Sequence, residues 1–270
     1  MSRIVFSNFS EKEGAAAAAN MFPAEIYLEI LLRLPVRSTF VSTKRYRGLP
    51  GSLYGDKFGD YNMVGLGYDC KTQDYKLVTR RSSADCAVEI YSLRSYSWTS
   101  IENVPYEFHS AQIVGVLLNR DLHWLAKAQD CSEVVVCLDM GDQIFKAIPL
   151  PNETLVNKNH IRKFMTVGVL EGCLCVVASV TNLHSEVWVM QDYGVRESWT
   201  KRYMINDERI VYDDSPHLMW SFKSGELLFG NCSADYLVIY DPKDGSVRKP
   251  NIPNLTHLHQ EGCYYESLII

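Results

Sequence analysis

The sequence contains 8 cysteines but no Cys-x-x-Cys pair, and no set of cysteines and histidines has zinc-ligand spacing. Cys70, Cys86, Cys131, Cys137, Cys173, Cys175, Cys232 and Cys263 therefore read as reduced, mostly core residues. No apolar run approaches the length of a membrane span. The N-terminal run Ile4-Val5-Phe6 is too short for a signal peptide. These absences predict a cytoplasmic or nuclear protein. No basic stripe interrupts the even mix of 27 basic and 32 acidic residues, which argues against nucleic acid as a partner. A membrane partner is likewise not expected.

Catalytic signatures are also missing. There is no Gly-rich phosphate loop, no His-Glu-x-x-His and no Gly-x-Ser-x-Gly. Asp207-Glu208 and Asp213-Asp214 lie in polar connecting stretches, where sequence neighbours do not face each other across a substrate. His257 and His259 form a His-x-His without a third ligand, and His123 stands alone on a strand. Cys173 and Cys175 share one strand face, as core residues would. The expectation is no catalytic residues, no metal and no cofactor.

One helical stretch and a long β-rich remainder are what is present. Pro23 opens a helix and Pro35 stops it at Leu34. Phe22, Ile26, Ile30 and Leu34 recur every four residues, with Leu31 beside them, and form one apolar stripe. So short a helix needs a surface to pack on, either in its own domain or on a partner. Residues 1–20 read as a mobile tail, and 50–63 as a linker rich in Gly and polar residues.

Beyond the linker, short runs rich in β-branched and aromatic residues alternate with turn residues. Tyr91, Leu138, Met190 and Tyr240 each end such a run, at spacings of 47, 52 and 50 residues. An apolar residue follows each across a short turn: Trp98, Phe145, Trp199 and Val247. A second unit repeats at Leu122, Leu174 and Leu227; Gly172 and Gly225 share its turn position, where Arg120 stands in the first copy. Two hairpins per roughly 50 residues is the signature of a kelch-type propeller blade, and an open sandwich has no reason to repeat. The fold expectation is mainly β: a kelch-like β-propeller of about four blades, whether or not its ring is complete, behind a short N-terminal helix.

Two resemblances sharpen this reading. Residues 21–49 resemble a shortened F-box: Pro23, Glu25, Ile30, Leu31, Arg33, Leu34, Pro35, Val36 and Ser38 match its opening, and the match thins after Ser38. From residue 64 to the C-terminus the chain resembles the plant F-box-associated domain. Gly65-Leu-Gly-Tyr-Asp69 with Asp74-Tyr-Lys76, Glu186-Val-Trp-Val-Met190 running on to Trp199-Thr-Lys201, and the closing Tyr264-Tyr-Glu-Ser carry it. S-locus F-box-like proteins are the look-alikes. The resemblance implies a non-catalytic substrate receptor of an SCF-type ubiquitin ligase. Phe22, Pro23, Ile26, Ile30, Leu31, Leu34, Pro35 and Val36 would bind a Skp-family adaptor, and through it a cullin, while the propeller holds a protein target. The shortened F-box leaves open a propeller module that binds a target without a ligase role.

Recognition in a propeller falls to loops longer than tight turns. The candidates are Glu102–Ser110, Asn152–Lys163 and Arg202–His217. Trp98, Trp124, Trp188, Trp199 and Trp220 fit a core between blades, with exposure on a binding face as the alternative for Trp220.

Overall fold

A computed structural model describes residues 2–4, 61–81, 87–109, 112–151, 163–180, 183–211, 216–231, 236–250 and 263–265. The F-box-like stretch and all eight of its adaptor-facing candidates lie outside these residues.

Four antiparallel sheets follow one another along the chain as the blades of a propeller. Blade 1 is β2 (Tyr61–Asp69), β3 (Asp74–Arg81), β4 (Val88–Ser92) and β5 (Ser97–Ile101). Blade 2 is β6 (Tyr106–Phe108), β7 (Val116–Leu118), β8 (Asp121–Ala128), β9 (Glu133–Asp139) and β10 (Ile144–Pro149). Blade 3 is β11 (Lys163–Leu170), β12 (Cys173–Val180), β13 (His184–Met190) and β14 (Trp199–Ile205). Blade 4 is β15 (His217–Ser221), β16 (Leu227–Asn231), β17 (Tyr236–Tyr240) and β18 (Val247–Arg248). A separate pair joins β1 (Ser2–Ile4), within the expected tail, to β19 (Cys263–Tyr265). β2 opens three residues ahead of the expected start of the repeat.

The repeat read from the sequence is the pairing of third and fourth strands. Tyr91 faces Trp98, Leu138 faces Phe145, Met190 faces Trp199 and Tyr240 faces Val247, each as direct cross-strand partners. Leu122 likewise faces Leu138, and Leu227 faces Tyr240. Third strands are sandwiched between blades, so β9 is buried along five consecutive residues; the outer β10 is largely exposed. Most of the core among the described residues is correspondingly three interblade layers, with smaller clusters around Leu77 of blade 1 and Leu228 of blade 4. Val78 and Ile90 of blade 1 pack with Trp124, Val136 and Leu138 of blade 2. Val135 and Cys137 pack with Val167, Val176 and Trp199 of blade 3. Val177 and Val189 pack with Leu218, Phe229 and Val238 of blade 4.

The first strand of blade 2 is broken in two. β6 and β7 both pair with β8, and the chain between them leaves the sheet. Residues 112–115 cross to blade 1, where the Val64 amide donates to the Ile113 carbonyl (2.8 Å) and the Gly115 amide donates to the Val64 carbonyl (2.7 Å). On the other side the Gln112 amide group pairs with blade 3: Nε2 donates to the Val167 carbonyl (2.7 Å) and Oε1 accepts from the Val167 amide (2.6 Å). One segment thus laces three blades at their inner strands. Trp124 fits beneath it, its indole N–H shared between the Val64 and Ile113 carbonyls at 3.2 Å. Only glycine leaves room for that ring. A Cβ on Gly115 would sit 2.4 Å from Trp124, and one on Gly65 2.8 Å from it.

Candidate functional site

Antiparallel blades sort their connections by end. First-to-second and third-to-fourth strand turns gather at one end; second-to-third turns and the links between blades gather at the other. Tight turns such as Asn119-Arg120 and Glu171-Gly172, with positive φ at both residues, mark the first end. The described residues of Glu102–Ser110 and Arg202–His217 connect successive blades and fall at the second. Both are shorter than the sequence suggested. Glu102–Ser110 contains β6, with Val104 and Phe108 buried, because its apolar residues complete the inner edge of blade 2. Arg202–Ile205 belongs to β14, where Tyr203, Met204 and Ile205 pair with β13 and Arg202 falls at a register shift; Asp207 then opens a one-turn helix, α1 (Glu208–Val211), accepting from the Arg209 amide at 3.0 Å. Residues 152–162 lie outside the described residues, and Lys163 begins β11.

The first family-like motif proves to be a turn clamp at the tight-turn end. Asp69 is fully buried, and its Oδ2 accepts from Lys76 Nζ at 2.7 Å and Thr72 Oγ1 at 2.6 Å. Its Oδ1 accepts from the Lys71 amide at 2.8 Å. Burial alone would raise this carboxyl, but the bonds from Lys76, Thr72 and the turn amides outweigh it and bring it down to about 2. Asp74 clamps the next turn, accepting from Ser92 Oγ and the Arg94 amide. An open groove runs between these turns, lined by Lys71, Thr72, Asp74, Lys76, Ser92 and Arg94. Its cations are already engaged: Lys71 with Asp142, Lys76 with Asp69, and Arg94 with the Thr72 carbonyl.

The second motif is a buried carboxylate in blade 3. Glu186 is 4% exposed, and Oε1 accepts from Lys201 Nζ (2.8 Å) and is paired with His184 Nε2 (3.2 Å). Oε2 accepts from the Trp188 indole (3.0 Å), and Lys201 lies 5.3 Å above that ring. Burial works to raise the Glu186 carboxyl, and the Lys201, Trp188 and His184 bonds hold it below its ordinary value. Trp199 donates to the Pro149 carbonyl at 3.0 Å and fixes blade 3 to blade 2.

His123 is a satisfied core histidine. Nδ1 faces the Val116 carbonyl (3.2 Å), Nε2 faces the Tyr193 hydroxyl (2.6 Å), and burial lowers its pKa. Beside it burial pushes the Cys137 thiol up to about 11, which leaves it protonated and unreactive. Cys175 is fully buried, as a core residue should be. His257 and His259 lie outside the described residues, within which no group of three His, Cys, Asp or Glu side chains could hold a metal. No described helix is long and apolar enough to cross a membrane. Trp220 is not on an exposed face: it is half-buried in β15, where it packs against Leu228, Leu237 and Ile239.

Two features escaped the sequence reading. Gln112 has no signature, because its role depends on strands that only the fold brings near. Arg80, at the recognition-loop end of β3, is 8% exposed in an otherwise apolar layer, and a lone arginine near the end of a strand reads as solvated.

A family model described as the F-box associated beta propeller domain matches residues 49–266. F-box protein CPR1 of Arabidopsis thaliana is 30% identical over 198 residues, covering 63% of this chain and 48% of that protein. An F-box/kelch-repeat protein of the same plant is 31% identical over 183 residues, with 63% and 48% coverage. The chain therefore spans about half the length of these curated relatives. A streptogramin B lyase structure aligns at a TM-score of 0.40 and 14% identity, over 73% of this chain and 57% of that one, too distant to carry an argument.

Proposed function

The chain belongs to the F-box associated beta propeller family, and from that membership we propose that it is the substrate-recognition subunit of an SCF-type ubiquitin ligase. The F-box-like helix 21–34 would dock in a groove of a Skp-family adaptor, with Leu31 and Leu34 among its apolar anchors. The propeller would present a protein target from its recognition-loop end. The chain's contribution to ubiquitin transfer is proximity, with the bond chemistry supplied by other subunits.

The supporting observation is the order of the two parts: an F-box-like stretch directly ahead of the matched propeller. The division of labour within the propeller is in keeping with it. Motif residues Asp69, Asp74 and Lys76 bond among themselves and to the tight turns of blade 1. The longer connections gather at the opposite end. A pull-down with a Skp-family adaptor tests the reading. The chain should be retained, and a version carrying Leu31→Asp and Leu34→Asp should be lost. Soluble, folded chain that the adaptor fails to retain would overturn the ligase role and favour a propeller module acting alone.

A further inference from the structure

Arg80 stands near the end of β3, and its side chain leaves blade 1 for blade 2. Nη1 donates to the Tyr106 carbonyl at 3.0 Å, and the guanidinium carbon lies 5.3 Å from the centre of the Phe108 ring. Nε is buried without a hydrogen-bond partner. Lys76, another buried cation, has Asp69 at 2.7 Å; Arg80 has no carboxylate among the described residues. A guanidinium cannot shed its charge, so burial without an anion leaves that charge uncompensated. The aromatic face and the single carbonyl satisfy it only in part. Nη2 bonds to no described residue, and the 8% of Arg80 that stays exposed is the remaining opening to solvent. That opening is at the recognition-loop end.

We propose that Arg80 is a binding site for an oxyanion, a carboxylate or phosphate group carried by the bound protein. The inference rests on the reading of this end as the target-binding face. Two oxygens of one group would meet Nη2 and the second hydrogen of Nη1, a planar match that arginine makes and lysine does not. The tyrosine carbonyl and the phenylalanine ring hold the fork in place beforehand.

The test is a titration of uniformly 15N-labelled chain with sodium phosphate, sodium acetate and sodium chloride at equal ionic strength. The Arg80 Nε–H resonance, assigned by its loss in Arg80→Lys, should shift saturably with phosphate or acetate and not with chloride. A response to phosphate alone identifies a phosphorylated group; a response to acetate identifies a carboxylate. Arg80→Lys keeps a charge and a donor for the Tyr106 carbonyl, so its strand amide spectrum should survive while saturable binding of the oxyanion disappears. No saturable shift in either salt would overturn the site. So would oxyanion-induced shifts of the surrounding amides that persist unchanged in Arg80→Lys. The probes are ions alone, so this test fails or succeeds independently of the adaptor pull-down.

Discussion

Replacing Lys76 with methionine strands a carboxylate that has no access to water. At 2.7 Å the Lys76–Asp69 attraction is about 6 kcal/mol at an effective dielectric of about 20. The desolvation of both groups, side chains 7% and 0% exposed, offsets most of it. The pair is therefore worth little in net terms, but one partner alone is expensive. Lys76→Met and Asp69→Asn should each cost about 3 kcal/mol. The double variant should cost only about 1 kcal/mol, less than either single change, because it removes both charges together. For a domain of this size each single change lowers the melting temperature by about 6–12 °C. pH supplies a second arm. Asp69 is lowered from 3.8 to about 2 in the fold, so its stabilisation is present above the unfolded value and is lost as pH falls toward the folded one. In Lys76→Met the carboxyl can take a proton more readily, so the deficit against the parent should narrow as pH falls from about 7 to about 4. Urea unfolding of the four proteins at several pH values measures both arms. Strictly additive losses, or a deficit independent of pH, would refute the clamp.

Gly115→Ala should cost about 2 kcal/mol by urea unfolding, because its methyl would enter the space of the Trp124 ring. Gln112→Ala should cost about 2 kcal/mol and speed hydrogen exchange at the Val167 amide, which loses its acceptor. Arg120→Gly should raise stability by about 0.5–1 kcal/mol, since Arg120 holds φ 73 in a turn where blades 3 and 4 place Gly172 and Gly225. Glu186 is held below its ordinary 4.5, so its contribution is present above that value and is lost as pH falls through the lower folded one; Glu186→Gln should flatten that part of the melting curve against pH.

The blades were legible because their strand ends repeat. Tyr91–Trp98 and its three counterparts could be paired from spacing alone, since each sits beside a short turn that fixes register. Gly172 and Gly225 marked their turns for the same local reason: both carry positive φ. Two of the candidate loops were drawn too long, because a three-residue strand such as β6 has too short a period to read. Trp220 fits the core reading over the exposed alternative that its place after Pro216 left open, because Leu228 and Ile239 of neighbouring strands pack against it. The Gln112 lacing and the Arg80 guanidinium were invisible for a deeper reason. Gln112 reaches Val167 55 residues away, and Arg80 reaches Tyr106 26 residues away, so no local pattern encodes either contact. The F-box-like residues 21–38 remain a reading of sequence, outside the described residues.

The account divides the propeller into a clamped scaffold end and a recognition end, and quantitative affinity capture from plant extract tests that division most directly. Three baits are compared: the parent chain, the Asp69→Asn/Lys76→Met variant, and a chain with 152–162 replaced by a Gly-Ser spacer of equal length. The account predicts that the clamp variant melts lower but keeps the parent's partners below its melting temperature, while the loop variant keeps its melt and loses them. Partners that survive the loop replacement and vanish with the clamp would contradict it, and would place recognition at the turn end.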